Sequence, residues 1–150
     1  MTFKGAASSP PETQAALEFI INVKESPLKA LVIDDSRAMR TIIGQILRSL
    51  GYEVADASNG REGLQRISEI GPLNLILVDW NMPEMNGIDF IRALRSDRKN
   101  DDVRVMMVTT ETEMKRMAEA LEQGANEYVM KPFTRDVILQ KLEQMQSASV

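Results

Sequence analysis

The chain has 150 residues and carries 18 basic against 22 acidic side chains, which gives a net charge of −4. Because the basic residues are scattered along an acidic chain, we expect no nucleic-acid partner. The absence of cysteine excludes a disulfide scaffold, and no apolar stretch approaches the roughly 20 residues of a membrane span. We therefore expect a cytoplasmic protein that does not insert into membranes and is long enough for one domain.

Residues 1–27 stand outside the pattern that follows them. Ser9, two prolines and Glu12 form a helix-start signal, since Ser caps helices and Pro is accepted in the first turn. Apolar residues then recur at helical spacing as one stripe: Ala16, Phe19, Ile20 and Val23. We expect an N-terminal helical extension that either packs on the domain or binds a partner or a second copy, and residues 28–150 form the domain itself.

From Leu28 onward, short apolar runs alternate with segments of helical periodicity. The runs predict five strands, at 28–33, 53–57, 73–78, 103–108 and 127–130. Apolar residues three and four apart predict helices around 39–50, 64–67, 88–96, 114–121 and 138–145. This alternation predicts an α/β fold of the flavodoxin-like, doubly wound type, with five parallel strands in the order 2-1-3-4-5.

Three acidic residues follow the first and third predicted strands. Asp34 and Asp35 come directly after the first, and Asp79 comes directly after the third. The chosen strand order places these two strands side by side, so the three carboxylates converge at one edge of the sheet. Like charges this close disfavour one another unless a cation neutralises them. Because the chain has neither His nor Cys, the sequence predicts Mg²⁺ or a similar hard ion.

A hydroxyl and an ammonium group end two further predicted strands. Thr109 follows the fourth strand, and Lys131 follows the fifth and precedes Pro132. A carboxylate nucleophile, a metal, a hydroxyl and an ammonium are the groups that phosphoryl transfer to aspartate needs. We expect Asp79 to attack and become 4-aspartylphosphate, while Thr109 and Lys131 stabilise charge on the phosphoryl oxygens.

With these residues at this spacing, the chain resembles the receiver domain of two-component response regulators over residues 28 to about 146. The resemblance implies a Mg²⁺ cofactor bound by Asp35, Asp79 and the backbone carbonyl of Asn81, with Asp34 acting largely through water. It also implies a cis peptide bond between Lys131 and Pro132.

The resemblance implies further roles for residues around this pocket. Thr109 and Tyr128 would form a switch that carries the signal to the surface, by a change of packing after phosphorylation. Asn81 and Glu111 would set how long the phosphoryl group survives.

The segment that runs from Asp79 through Trp80, Asn81 and Met82 to Pro83, with Met39, Glu111 and Tyr128, is similar to CheY-like single-domain chemotaxis regulators. This implies a stand-alone regulator that catalyses only its own phosphorylation and dephosphorylation. Its partners would be a histidine kinase of the CheA type, a flagellar motor switch or other output protein, and a phosphatase. Thr110 departs from the pattern, because these regulators usually carry Ala there. The alternative is a phosphorelay shuttle that passes its phosphoryl group to a histidine phosphotransfer protein.

Two other classes of protein fit the sequence less well. A haloacid dehalogenase also uses an Asp nucleophile with Mg²⁺, but it needs two acids separated by one residue, and Asp34 and Asp35 are adjacent. A flavin-binding protein of the flavodoxin type needs a phosphate loop after the first strand, where adjacent carboxylates would repel phosphate.

Overall fold

The computed structural model describes residues 27–148, so the predicted N-terminal helix lies outside the described residues. Strands and helices alternate along the chain as β1 (Leu28–Ile33), α1 (Arg37–Ser49), β2 (Tyr52–Ala57), α2 (Gly60–Ile70), β3 (Leu75–Asp79), α3 (Gly87–Arg95), β4 (Arg104–Thr109), α4 (Met117–Gln123), β5 (Glu127–Met130) and α5 (Arg135–Ala148). Short 3-10 helices span Arg98–Asn100 and Glu111–Arg116. Within this part of the chain, no helix is long and apolar enough to cross a membrane.

The five strands form one parallel sheet in the order β2-β1-β3-β4-β5, which confirms the predicted fold class and strand order. Asp79 pairs with Val108, and Thr109 pairs with Met130. The carboxyl ends of four neighbouring strands therefore reach one edge of the sheet at nearly the same height. Open α/β sheets bind their ligands at this edge, where the strand order reverses.

Helices cover both faces of the sheet, because successive strand side chains point to opposite sides. Leu31 and Ile33 of β1 face the layer of α2, α3 and α4, whereas Ala30 and Val32 face the layer of α1 and α5. Every residue of β3 is buried, which explains its near-continuous apolar sequence. The two apolar layers fix β1 and β3 side by side and so hold the acidic residues at their ends.

Three predicted strands have other bounds in the structure: β2 begins one residue earlier, at Tyr52, β3 ends one residue later, at Asp79, and β4 spans Arg104–Thr109 rather than 103–108. β3 begins at Leu75 rather than at residue 73, and just before it Asn74 Oδ1 accepts from the backbone N–H of Lys29 at 2.8 Å. The predicted fourth helix is preceded by the 3-10 segment Glu111–Arg116, and the α-helix itself starts at Met117.

The first three helices begin with side-chain caps. Ser36, Asn59 and Asn86 each accept a hydrogen bond from a backbone N–H three residues later, at 3.2, 2.8 and 2.9 Å. Such caps satisfy an amide that the first helical turn leaves unpaired. No side-chain cap of this kind starts α4.

Candidate functional site

Three carboxylates meet at the carboxyl edge of β1 and β3. One oxygen from each of Asp34, Asp35 and Asp79 lies within 4.8 Å of the others. Asp34 and Asp79 are only 1% and 8% exposed, while Asp35 is exposed. The sequence predicted this cluster, and the structure brings its three members together.

Lys131 faces the two buried acids from the end of β5. Its Nζ lies 3.4 Å from Asp79 Oδ1 and 3.6 Å from Asp34 Oδ2. The peptide bond between Lys131 and Pro132 is cis, as the resemblance implied. One ammonium group is thus shared by two buried carboxylates, so the three acids and Lys131 together keep a net negative charge.

Burial and mutual repulsion disfavour the charged forms of the buried acids. Burial and then the Asp34 carboxylate raise the pKa of Asp79 to about 6, although Lys131 opposes the shift. Burial also raises the pKa of Asp34, against the hydrogen bond from the backbone N–H of Ser36. The pocket is therefore poised to gain stability from an added cation.

The two oxygens of Asp34 differ in their partners. Its Oδ1 accepts from the backbone N–H of Ser36 at 2.8 Å, whereas its buried Oδ2 has no hydrogen-bond donor among the described residues and only the Lys131 ammonium at 3.6 Å as an ion-pair partner. An orphaned buried carboxylate oxygen is costly. A set of oxygen donors with such an orphan fits a hard divalent cation such as Mg²⁺, directly or through water.

Thr109 is the last residue of β4 and is fully buried, next to the strand β3 that ends in Asp79. Its hydroxyl reaches two acceptors, the backbone carbonyl of Thr110 at 3.2 Å and Glu113 Oε1 at 3.4 Å. Glu113 Oε1 also accepts from the backbone N–H of Thr110 at 3.1 Å. Sequence reasoning did not single out Glu113, although Thr110 followed by Glu three residues later is a capping-box signal that pointed to it.

Asn81 and Glu111, the two residues expected to govern phosphoryl lifetime, have different surroundings. Both are exposed, but the side-chain amide of Asn81 donates to Glu113 Oε2. No hydrogen bond joins Glu111 to Asn81 in residues 27–148; Glu111 starts the 3-10 helix. The acid that contacts Asn81 is therefore Glu113.

Two aromatic rings near the site lie under cationic side chains. Tyr128 is half-buried, and Lys141 Nζ lies 4.4 Å from its ring centre while pairing with Glu127 at 3.3 Å. Trp80 is buried directly after Asp79, with the Arg116 guanidinium 5.3 Å from its ring centre.

Comparison with known proteins shows the family. Residues 30–143 match the family described as "Response regulator receiver domain". The chain belongs to this family. The acidic pocket through which the family binds Mg²⁺ is present here as Asp34, Asp35 and Asp79.

Similar receiver proteins include named chemotaxis regulators. The chain is 42% identical over 117 residues to "Chemotaxis protein CheY1" of Helicobacter pylori, covering 77% of this chain and 94% of the relative. It is 40% identical over 119 residues to "Chemotaxis protein CheY" of Pseudomonas aeruginosa, covering 79% and 95%. The structure of the chemotaxis response regulator CheY4 of Vibrio cholerae superposes with a TM-score of 0.73 at 32% identity, covering 80% and 99%.

Proposed function

We propose that this receiver domain accepts a phosphoryl group from a histidine kinase on Asp79, in a Mg²⁺-dependent reaction, and signals through a change of its surface. The observation that carries the proposal is the buried Asp79 carboxylate, which Lys131 contacts at 3.4 Å within a cluster of three acids. A buried acid beside a cationic partner and a set of oxygen donors that fits a divalent cation is arranged for a reaction with an anion.

In the proposed reaction, an Asp79 oxygen attacks phosphorus, so that one P–O bond forms while the bond to the donor nitrogen breaks. Lys131 neutralises charge on the phosphoryl oxygens, and the Thr109 hydroxyl donates a hydrogen bond to one of them. Asp34, Asp35, Asp79 and the backbone carbonyl of Asn81 would hold Mg²⁺. When bound, the ion supplies positive charge that offsets repulsion between the carboxylates and the phosphoryl group.

The signal would leave the site through Thr109 and Tyr128. A hydroxyl that turns toward the phosphoryl group leaves space into which the Tyr128 ring can move. Thr109→Ala should therefore still take up the phosphoryl group yet bind its output protein weakly. Equal affinity of phosphorylated wild type and Thr109→Ala for that protein would rule out this route.

Asn81 and Glu111 would set the phosphoryl lifetime, because polar groups at the pocket mouth can orient or obstruct the attacking water. We expect substitutions there to change the hydrolysis rate by up to about tenfold, equivalent to roughly 1.4 kcal/mol of barrier. The measurement is the decay of labelled protein after removal of donor, for wild type, Asn81→Lys and Glu111→Ala. Three superimposable decays would contradict the role.

Similarity to proteins named CheY supports a role in chemotaxis, with a CheA-type kinase and a flagellar motor switch as partners and with a phosphatase as a third. Beryllofluoride with Mg²⁺ is a phosphoryl mimic that keeps the activated form available for capture. We expect capture of a motor-switch protein. Capture of a histidine phosphotransfer protein, together with transfer of label to its histidine from separately phosphorylated wild type, would instead identify a phosphorelay shuttle.

Intact mass after incubation with acetyl phosphate tests the phosphoacceptor directly. Wild type with Mg²⁺ should gain one phosphoryl group, and EDTA should abolish the gain. Asp79→Asn should gain none, while Asp102→Asn, an exposed acid before β4 at the opposite edge of the sheet, should behave like wild type. Uptake by Asp79→Asn at the wild-type rate would show that another residue accepts the group.

The single tryptophan offers a separate test of the metal site. Trp80 adjoins Asp79, so its fluorescence should change as Mg²⁺ binds. We expect Asp35→Asn to weaken Mg²⁺ binding at least as much as Asp34→Asn, since Asp35 is the proposed direct ligand. A Mg²⁺ titration without a change in fluorescence or heat would count against the site.

A further inference from the structure

Glu113 joins the two loops that flank the acceptor, and its contacts are unlike those of a solvated surface acid. Its Oε1 accepts from the Thr109 hydroxyl at 3.4 Å and from the backbone N–H of Thr110 at 3.1 Å. Its Oε2 accepts from the side-chain amide of Asn81 in the loop after β3. One half-buried carboxylate thus contacts both the proposed switch hydroxyl and a proposed lifetime residue.

The Thr109 hydroxyl has a single proton for several acceptors. In this structure it lies within reach of the Thr110 carbonyl and of Glu113. A hydroxyl that donates to a phosphoryl oxygen must give up both of these contacts. A charged acceptor competes for that proton more strongly than a neutral carbonyl, because hydrogen bonds to ionised groups are stronger.

The charge of Glu113 also bears on the reaction. In residues 27–148 no ion pair neutralises Glu113, and the pocket beyond it holds three acids against Lys131. An incoming phosphoryl group brings further negative charge to the same place. A carboxylate at the mouth therefore repels the reactant as well as holding the hydroxyl.

We propose that Glu113 is a positioning residue that holds the Thr109 hydroxyl and the Asn81 amide in the unphosphorylated arrangement and so slows phosphoryl transfer to Asp79. The inference rests on the proposed function of Asp79 as phosphoacceptor. The residue proposed to slow uptake is thus the fourth after Thr109. The family resemblance instead pointed to Glu111, the second residue after Thr109, and to the lifetime of the phosphoryl group.

A purely structural role for Glu113 is the competing explanation, because its bond to the Thr110 amide also caps the 3-10 helix. Glu113→Gln separates the two explanations. The amide has nearly the same shape, and its oxygen can still accept from the Thr110 N–H. It carries no charge, and its NH2 group replaces the oxygen that accepts from the exposed Asn81 amide. Glu113→Ala removes both the charge and the cap. Glu122→Ala removes an exposed acid of α4 and serves as the matched control.

The experiment measures the rate of label uptake from acetyl phosphate with Mg²⁺ by intact mass, together with the melting temperature of each protein. We expect Glu113→Gln to take up label about threefold to tenfold faster than wild type, with an unchanged melting temperature. Glu113→Ala should be similarly fast but less stable, and Glu122→Ala should match wild type in both. A faster Glu122→Ala would instead point to net charge and overturn the specific role.

Failure of the inference is distinguishable from failure of the proposed function. If wild type takes up label and Glu113→Gln does so at the same rate or more slowly, Glu113 does not slow uptake, while the role of Asp79 as phosphoacceptor is unaffected. If wild type takes up no label at all, or Asp79→Asn labels as fast as wild type, the proposed function of Asp79 is wrong. The proposed role of Glu113, which depends on it, is then wrong as well.

Discussion

Two regions of this receiver domain differ in the length and type of their helices. In residues 28–95, which we call the acid half, α1, α2 and α3 have 13, 11 and 9 residues and each begins with a Ser or Asn cap. In residues 104–130, the switch half, a six-residue 3-10 helix that begins with a capping box of Thr110 and Glu113 leads into an α4 of only seven residues. Short 3-10 segments have poorer hydrogen-bond geometry than α-helices.

The strands follow a different division. Both β3 and β4, inside the sheet, are almost wholly buried, whereas the edge strands β2 and β5 have one buried residue each, Ala57 and Val129. Regions with few buried contacts and exposed backbone hydrogen bonds open at lower free energy. The acids are thus held beside capped α-helices. Thr109 ends a buried strand next to the 3-10 helix, and Tyr128 lies on an edge strand, so we expect the segment after Thr109 and the surroundings of Tyr128 to rearrange at lower cost.

The largest expected effect lies in the acid half, at Gly87. A Cβ on this residue would lie 2.5 Å from the backbone carbonyl oxygen of Asp79, which cannot move aside without displacing the end of β3. We expect Gly87→Ala to lower the free energy of unfolding by about 3 kcal/mol and to slow phosphoryl uptake. Urea denaturation and the labelling assay measure the two effects.

Gly44→Ala is the control for Gly87→Ala, because the added Cβ would lie 3.3 Å from the end of the flexible Arg48 side chain. Ala also favours a helix interior over Gly by about 0.5–1 kcal/mol. We expect Gly44→Ala to be neutral or stabilising. Equal destabilisation by both substitutions would show that the end of β3 tolerates an added methyl group no worse than the site of Gly44 in α1.

The second prediction concerns pH in Mg²⁺-free protein. The pKa of Asp79 is about 6 in the folded protein against an ordinary 3.8, so the folded state binds the proton more tightly than the unfolded chain. Stability from this group is complete below about pH 4 and is lost as pH rises through about 6. We expect a loss of about 2 kcal/mol, allowing for solvent screening at the open pocket.

Urea denaturation at several pH values measures this loss. Asp79→Asn should lack most of the fall between pH 4 and pH 6, and Mg²⁺ should restore stability at pH 7 in wild type only. A wild-type curve parallel to that of Asp79→Asn across this range would contradict the raised pKa.

The third prediction tests the caps of the acid half. Asn59→Ala leaves the backbone N–H of Glu62 without its partner at 2.8 Å, so we expect a loss of about 1 kcal/mol. Asn59→Asp keeps an acceptor and should recover most of that loss. Phosphoryl uptake should stay at the wild-type rate in both variants. If Asn59→Ala lowers the free energy of unfolding by less than the error of the denaturation curve, α2 does not depend on its cap.

The smallest effect is expected at Lys141 of α5, which contacts Tyr128 of the switch half. Lys141→Met removes the ammonium 4.4 Å from the Tyr128 ring and its pair with Glu127, at a cost of about 0.5 kcal/mol. The Tyr128 ring should then flip faster, as measured by NMR. The only other tyrosine, Tyr52, is an internal control. A Tyr128 ring that flips no faster in the variant would show that Lys141 does not restrain it.

Much of the site was predictable because its chemistry lies next to apolar runs. Asp34 and Asp79 directly follow strand patterns, and parallel pairing brings strand ends together whatever their exact start. The start of β3 and the 3-10 segment were not predictable, because apolar spacing reports burial and not which N–H meets which carbonyl. Glu113 was missed for the same reason: its contacts join two loops 32 residues apart in sequence, and a capping signal indicates only the local bond.

Hydrogen exchange with and without beryllofluoride and Mg²⁺ tests the division between the two halves most directly. The account predicts that the mimic changes exchange mainly across residues 109–130, that the strands and capped helices of residues 28–95 change little beyond the site, and that Asp79→Asn shows no such response. Changes of equal size in both halves, or the same response in Asp79→Asn, would contradict it.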